Sequence, residues 1–223
     1  MQQIPADDVV LMGDPRVAEI PIREVDDGLV DVRDVPELAP DPLKETPSGA
    51  YALLRRGVFG RLLAAQELLP AGYRLLLVEG YRPYDLQERY FSSYRAQVEE
   101  LDPGLDRATS FELASRYVSP PQVAPHVSGA AIDLAMTDGS GQALDMGTPI
   151  NATPEGSAGA CYFTADNIPR EARHHRGLMA TALSGAGLVN YPTEWWDWSY
   201  GDRYWALMTG QPNALYGPVR APG

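Results

Sequence analysis

The sequence predicts an α+β protein with a central antiparallel sheet flanked by helices, and three observations carry that reading. Segments of helical and of strand period follow one another without a regular βαβ rhythm. Ala131 to Met136 alternates cleanly, with Ile132, Leu134 and Met136 on one face and Ala131, Asp133 and Ala135 on the other. Near the C-terminus, Glu194 to Tyr200 and Arg203 to Met208 flank Gly201-Asp202, a pairing suited to a type II′ hairpin.

Taken in chain order, Val35 to Ser48 carries four prolines and several charges and reads as a surface connection. Leu54, Val58, Leu62, Ala65 and Leu69 then repeat at helical spacing, with Ser48 as N-cap and Pro70-Ala71-Gly72 as the stop. Tyr73 to Glu79 is a buried strand through Leu75, Leu76, Leu77 and Val78. A second helix follows Pro83 with Leu86, Tyr90, Tyr94 and Val98 on its apolar face, and Phe111 to Val118 forms a shorter third. After the alternating strand, Thr137 to Asp166 is Gly-rich and irregular, the character of a lid or binding wall. Asn167 and Pro169 start a last helix through Ala172, Met179, Ala182 and Leu183, ending at the glycines 185 and 187.

Composition narrows the function classes. The 223 residues, 44% of them hydrophobic, can bury a core, and with neither repeats nor a long polar linker we read 1–223 as one domain. Thirty acidic against eighteen basic residues leave a formal net charge of −12, which argues against nucleic acid or an anionic membrane as partner. No apolar run is long enough to span a membrane, and Met1 to Pro15 lacks the basic and apolar regions of a secretory signal. The expectation is a soluble, cytoplasmic protein whose oligomeric state the sequence leaves open. A single cysteine, Cys161, excludes an internal disulfide framework and reads as a small core residue.

Only three histidines are available for chemistry. His174 and His175, flanked by arginines on a predicted helix, read as a solvated face. His126 differs, because a glycine turn separates it from the strand that presents Asp133, and together they could reach one metal or form an ordinary hydrogen-bonded pair. Glu79-Gly80-Tyr81-Arg82-Pro83 aims an arginine from a strand end, either into a cleft or into a salt bridge. Glu194-Trp195-Trp196-Asp197-Trp198 sets two carboxylates three apart among aromatics. Zinc-helix, nucleophile-elbow, dinucleotide and P-loop signatures are missing.

In this order, those segments resemble the D-Ala-D-Ala dipeptidases, the group that includes the vancomycin-resistance dipeptidase, among the zinc D-alanyl-D-alanine peptidases with a Hedgehog-like fold. Asp14-Pro15-Arg16-Val17, Leu29-Val30-Asp31-Val32-Arg33 and Met146-Gly147-Thr148-Pro149 extend the resemblance through most of the chain. It implies a hydrolase with one divalent metal, zinc by default. His126 and Asp133 match metal ligands, Glu194 matches the general base for a metal-activated water, and Arg82 matches the oxyanion-stabilising cation. The implied partner is a dipeptide-like or other small-molecule substrate.

Three positions depart from the family pattern. Asp197 stands where the family has its third ligand, a histidine, and a site of His126, Asp133 and Asp197 balances a divalent ion to neutrality. Such a site should acidify its water less and admit manganese or iron beside zinc. Asn151 replaces the aspartate that pairs with the substrate ammonium, and Ala124 replaces a serine of the same wall. Beside a dipeptidase, two alternatives therefore stand. One is a divergent metalloenzyme transforming another small amino-acid-derived molecule in specialised metabolism, and the other is a non-catalytic binding homologue.

Overall fold

The computed structural model describes residues 9–35, 38–40 and 48–219, with the backbone alone at 39 and 40. Its elements in chain order are α1 (Pro15–Glu19), β1 (Leu29–Asp31), β2 (Ala39–Pro40), β3 (Leu53–Arg55), α2 (Arg56–Leu68), β4 (Arg74–Glu79), α3 (Tyr84–Leu101), α4 (Arg107–Ala114), β5 (Ala131–Thr137), α5 (Arg170–Gly185), β6 (Val189–Asn190), β7 (Asp197–Ser199) and α6 (Arg203–Met208). Short 3-10 turns at Ala50–Ala52 and Pro125–Ser128 precede β3 and β5.

The α+β class holds. Five strands form one sheet in the order β2-β4-β5-β7-β6, antiparallel except for the parallel β2–β4 pair, and β1 pairs with β3 in a separate antiparallel ribbon. Strand β5 lies at the centre and is buried along its whole length, on both faces. Ile132, Leu134 and Met136 join Leu75 and Leu77 of β4 in the main core, where Val58, Leu62 and Ala65 of α2 and Met179, Ala182 and Leu183 of α5 also pack. Burying each of the larger of these side chains contributes roughly 1.5–3 kcal/mol, which fixes the sheet between these helices.

Several local expectations change. Helix α2 begins at Arg56, directly after β3, so Leu54 is a strand residue. Ser48 instead accepts a hydrogen bond from the Ala50 amide (3.4 Å), seven residues before the N-cap position of α2, Arg55. Residues 36, 37 and 41–47 of the proline-rich stretch lie outside the described residues, yet that stretch also carries β2, so it is not connection alone. The buried face of α3 is Gln87, Phe91, Tyr94 and Val98: the predicted Tyr94 and Val98 are on it, whereas in the first turns Gln87 and Phe91 take the places predicted for Leu86 and Tyr90, and Tyr90 is 46% exposed. The third helix ends at Ala114 and starts at Arg107, because Asp106 accepts from the amides of Ala108 and Thr109 and caps it there. Asn167 does not cap α5, since its side chain donates to the Ala158 carbonyl.

The predicted C-terminal hairpin is replaced by a strand and a helix. Gly201 takes a positive φ of 83°, and the Asp202 carboxylate accepts from the Tyr204 and Trp205 amides at 2.7 and 3.1 Å. Those capped donors let Arg203–Met208 coil and bury Tyr204, Trp205 and Ala206. The strand partner of β7 at the sheet edge is β6, with Val189 opposite Ser199 and Asn190 opposite Trp198. Cys161 is buried in the core, as expected. Among the described residues, no helix is long and apolar enough to cross a membrane.

Candidate active site

Strand register builds the floor of the site. A bulge between Leu77 and Glu79 turns Glu79 to face Asp133, and β5 in turn sets Asp133 opposite Asp197 on β7. Three carboxylates therefore lie abreast across three neighbouring strands. Like charges so placed repel, and cations beside them or a proton on one of them relieve that repulsion.

Two cations of the chain serve that row. Arg82 follows β4 and grips Glu79 through two bonds, Nε to Oε1 at 2.7 Å and Nη2 to Oε2 at 2.9 Å, while Nη1 donates to Gln87 Oε1 at 2.9 Å. Its backbone amide donates to the His126 carbonyl, tying the arginine to the histidine turn. Burial would lower its pKa, but Glu79, Asp133 and Glu194 outweigh burial and raise it, so the guanidinium is a fixed charge.

His126 sits in the 3-10 turn Pro125–Ser128, which Gly129 closes at φ 69°, where a side chain would collide with Leu29. Its Nδ1 lies 2.6 Å from the Gly80 carbonyl, an acceptor, so Nδ1 carries the proton and Nε2 is left toward the carboxylates. Nε2 stands 3.4 Å from Asp133 Oδ1 and 3.9 Å from Asp197 Oδ1. Gly80 can approach this closely because a β-carbon there would press on the Leu53 carbonyl and Leu54.

The donor set suits a metal ion. One ligand atom from each of His126, Asp133 and Asp197 lies within 4.8 Å of the other two, and all three residues are buried. Asp133 Oδ1 is buried without a hydrogen-bond partner, an exposed lone pair that a cation would satisfy. The electrostatics agree. Burial favours neutral His126, yet Asp133 and Asp197 overcome both it and Arg82 and raise the imidazole to about 9. Burial, then Asp133 and Asp202, push Asp197 up to about 7 against the pull of His126 and Arg82. Glu194 is raised well above the usual carboxylate range by burial, Asp197 and Asp133, with Arg82 opposing. Nitrogen and carboxylate ligands of this kind fit zinc, and the oxygen majority also fits manganese or iron.

Glu194 and Asp197 belong to one tight turn. The Asp197 amide donates to the Glu194 carbonyl, and Asn190 Nδ2 donates to the carbonyls of both residues at 2.9 Å. No motif announces Asn190, and sequence reasoning missed it. Gln87 was missed as well, because an amide on a helix has no signature until its partner, Arg82, is placed.

The other wall is the irregular segment after β5. Arg176 on α5, 1% exposed, donates to the carbonyls of Met146, Tyr162 and Ala160 at 2.7, 2.7 and 2.9 Å, and its guanidinium lies over Trp195. Burial lowers it to about 10, still a cation at neutral pH. His175 is buried too, with Nδ1 2.8 Å from the Asp145 carbonyl, so only His174 has the solvated character predicted for the pair. Asn151 takes φ 66°, and its carbonyl accepts the Tyr117 hydroxyl at 2.9 Å.

Floor and wall enclose a cleft of about 420 Å³ that Arg82, His126, Asp133, Asn151, Glu194 and Asp197 all line. Ala124 does not join them. It lines a separate small recess with Ser128, Asp202 and Tyr216.

Comparison with known proteins agrees with the sequence pattern. The peptidase M15 family model, described as D-ala-D-ala dipeptidase, matches residues 43–211. A D-alanyl-D-alanine dipeptidase of Synechocystis sp. is 26% identical over 238 residues, covering 90% of this chain and 95% of that protein. One from Escherichia coli is 26% identical over 126 residues, 56% of this chain and 54% of that protein. Among solved structures, the LdcB LD-carboxypeptidase is 17% identical at a TM-score of 0.47, covering 96% of this chain and 90% of its own. The vancomycin-resistance D,D-pentapeptidase VanY, in complex with Zn(II), is 16% identical at 0.41, covering 77% and 85%. With more than half of its length matched by that model, the chain belongs to the peptidase M15 family of D-ala-D-ala dipeptidases.

Proposed function

We propose that this chain is a metal-dependent amide hydrolase acting on dipeptide-like substrates of the D-Ala-D-Ala type. The observation that carries the reading is the convergence of His126, Asp133 and Asp197 within 4.8 Å in the cleft that Glu194 and Arg82 also line. Those three residues would hold the metal, which when bound supplies Lewis-acid polarisation of the scissile carbonyl and a more acidic water.

The remaining work falls to side chains. Glu194, whose proton affinity is raised by burial and two neighbouring aspartates, takes a proton from the attacking water and passes it to the departing amine. A C–O bond forms, the C–N bond breaks, and one water is consumed. Arg82 commits three of its five N–H groups to Glu79 and Gln87, which leaves two to meet the negative charge developing on the carbonyl oxygen. The Nδ1 bond to Gly80 leaves Nε2 as the ring nitrogen that would face the metal, with the Nε2 proton displaced on binding.

Release of D-alanine from D-Ala-D-Ala, measured with zinc, manganese or iron added, tests this. Glu194→Gln should reduce turnover by roughly 10²–10⁴-fold while the protein still folds and binds metal. Undiminished turnover in that variant would remove Glu194 from the mechanism.

Asp197 favours a second reading, a divergent metalloenzyme on another amino-acid-derived substrate. Two aspartates and a neutral imidazole cancel a divalent charge and weaken polarisation of a carbonyl. If the native chain binds metal without releasing D-alanine and Asp197→His gains hydrolysis, the ligand exchange accounts for the lost reaction.

A further inference from the structure

We infer that the cleft continues past the metal ligands as a groove for an uncharged, amide-bearing extension on the amino side of the scissile bond. The preferred substrate is then an N-acylated or peptidyl amide, not a dipeptide with a free ammonium. This rests on the hydrolase reading of the same site.

Helix α3 supplies the first observation. Gln87, Tyr90, Ser93, Tyr94 and Gln97 recur at helical spacing and all line the cleft. Ten steps of 1.5 Å from Gln87 to Gln97 make this stripe about 15 Å long, running away from Arg82, which Gln87 contacts. Asn151 and Thr153 line the cleft from the irregular wall. Every one of these groups is neutral. Tyr90 presents a half-exposed ring with the Arg82 guanidinium 5.2 Å from its centroid, and Ser93, Gln97, Asn151 and Thr153 carry the donors and acceptors that an amide needs.

The distribution of charge supplies the second. With the acyl side of the substrate placed along α3, the amino nitrogen of a dipeptide, one carbon from the scissile carbonyl, falls where the stripe begins. The carboxylates lining the cleft are already engaged. Glu79 holds Arg82, Asp133 and Asp197 belong to the ligand set, and Glu194 is the base. Glu155 accepts the Tyr94 hydroxyl at 2.8 Å and does not line the cleft. An ammonium there would lose water without gaining a counter-ion, whereas an acyl amide finds hydrogen bonds along the stripe.

D-Ala-D-Ala and N-acetyl-D-Ala-D-Ala, added to the unaltered zinc-loaded chain, can be followed by NMR. Ligand line-broadening reports binding, and free D-alanine reports hydrolysis in the same tube. The acetylated compound should bind at least tenfold tighter. Ser93→Ala and Gln97→Ala should erase that advantage, and Ser93→Asp should shift preference toward the free dipeptide. Equal or tighter binding of the free dipeptide overturns the groove, as does failure of both to bind. Tighter binding of the acetylated compound with no D-alanine released from either supports the groove and sinks the hydrolase reading instead.

Discussion

On the floor of the cleft, Glu79, Asp133 and Asp197 are placed by strand pairing, whereas on the facing wall Asn151 and Thr153 hang in a loop secured by side chains from elsewhere. The floor's backbone is committed to ladder hydrogen bonds, so its carboxylates cannot separate without unpairing the sheet. The wall has no ladder between residues 146 and 160. It depends on Arg176 and His175 behind it, and on Tyr117 and Tyr94 reaching it from across the cleft. Two arginines show the contrast. Arg82 meets a carboxylate and serves charge, while Arg176 meets three carbonyls and serves shape. A damaged floor should therefore fail in metal binding and chemistry, and a damaged wall in substrate affinity.

The largest effect that separates the two is expected at Asn190. Its side chain restrains both carbonyls of the Glu194–Asp197 turn, so Asn190→Ala should release a metal ligand and the base together. Loss of partners that orient ligands typically costs about 10–100-fold in metal affinity. Titration of the metal-free variant with zinc against a competing chelator measures this, and an unchanged affinity would mean that β6–β7 pairing alone suffices.

What the sequence reveals follows the same division. Asp133 is legible because β5 alternates and the strand period fixes which side chains share a face. The row of carboxylates is not, since it depends on the register between strand positions 54 and 64 residues apart and on a bulge after Leu77. His126, Arg82 and Glu194 stand out through their glycine, proline and aromatic neighbours. Asn190 and Arg176 have no such setting, and their roles exist only once carbonyls distant in sequence are brought to them. The misread hairpin makes the point locally, because Gly-Asp serves a β-turn and a helix cap equally well until Tyr204 and Trp205 find their core.

A smaller and different effect is expected from Arg176→Leu. Two buried carbonyls and a part-buried one lose their donor, a cost on the order of 2 kcal/mol or more, read as a lower midpoint in chemical denaturation. Under native conditions the wall should loosen around Asn151 and Thr153. KM should rise severalfold, zinc affinity should stay near that of the unaltered chain, and kcat should change less than KM. A fall in zinc affinity as large as that of Asn190→Ala would erase the distinction between floor and wall.

Asp106→Ala supplies the smallest effect and the control for stability alone, because α4 contributes no residue to the cleft lining. Hydrogen bonds from the Thr109 backbone and side chain, then from the Ala108 backbone, hold the Asp106 carboxylate below its usual range. A depressed folded pKa means that the cap's contribution is complete above the unfolded value of about 3.9 and disappears as pH falls through the lower folded value. The variant should therefore melt slightly earlier at pH 7, and the gap from the unaltered chain should close on acidification below pH ~4. KM and zinc affinity should not move. If they do, loss of stability anywhere in the fold reaches the site, and the KM change in Arg176→Leu would no longer report on the wall.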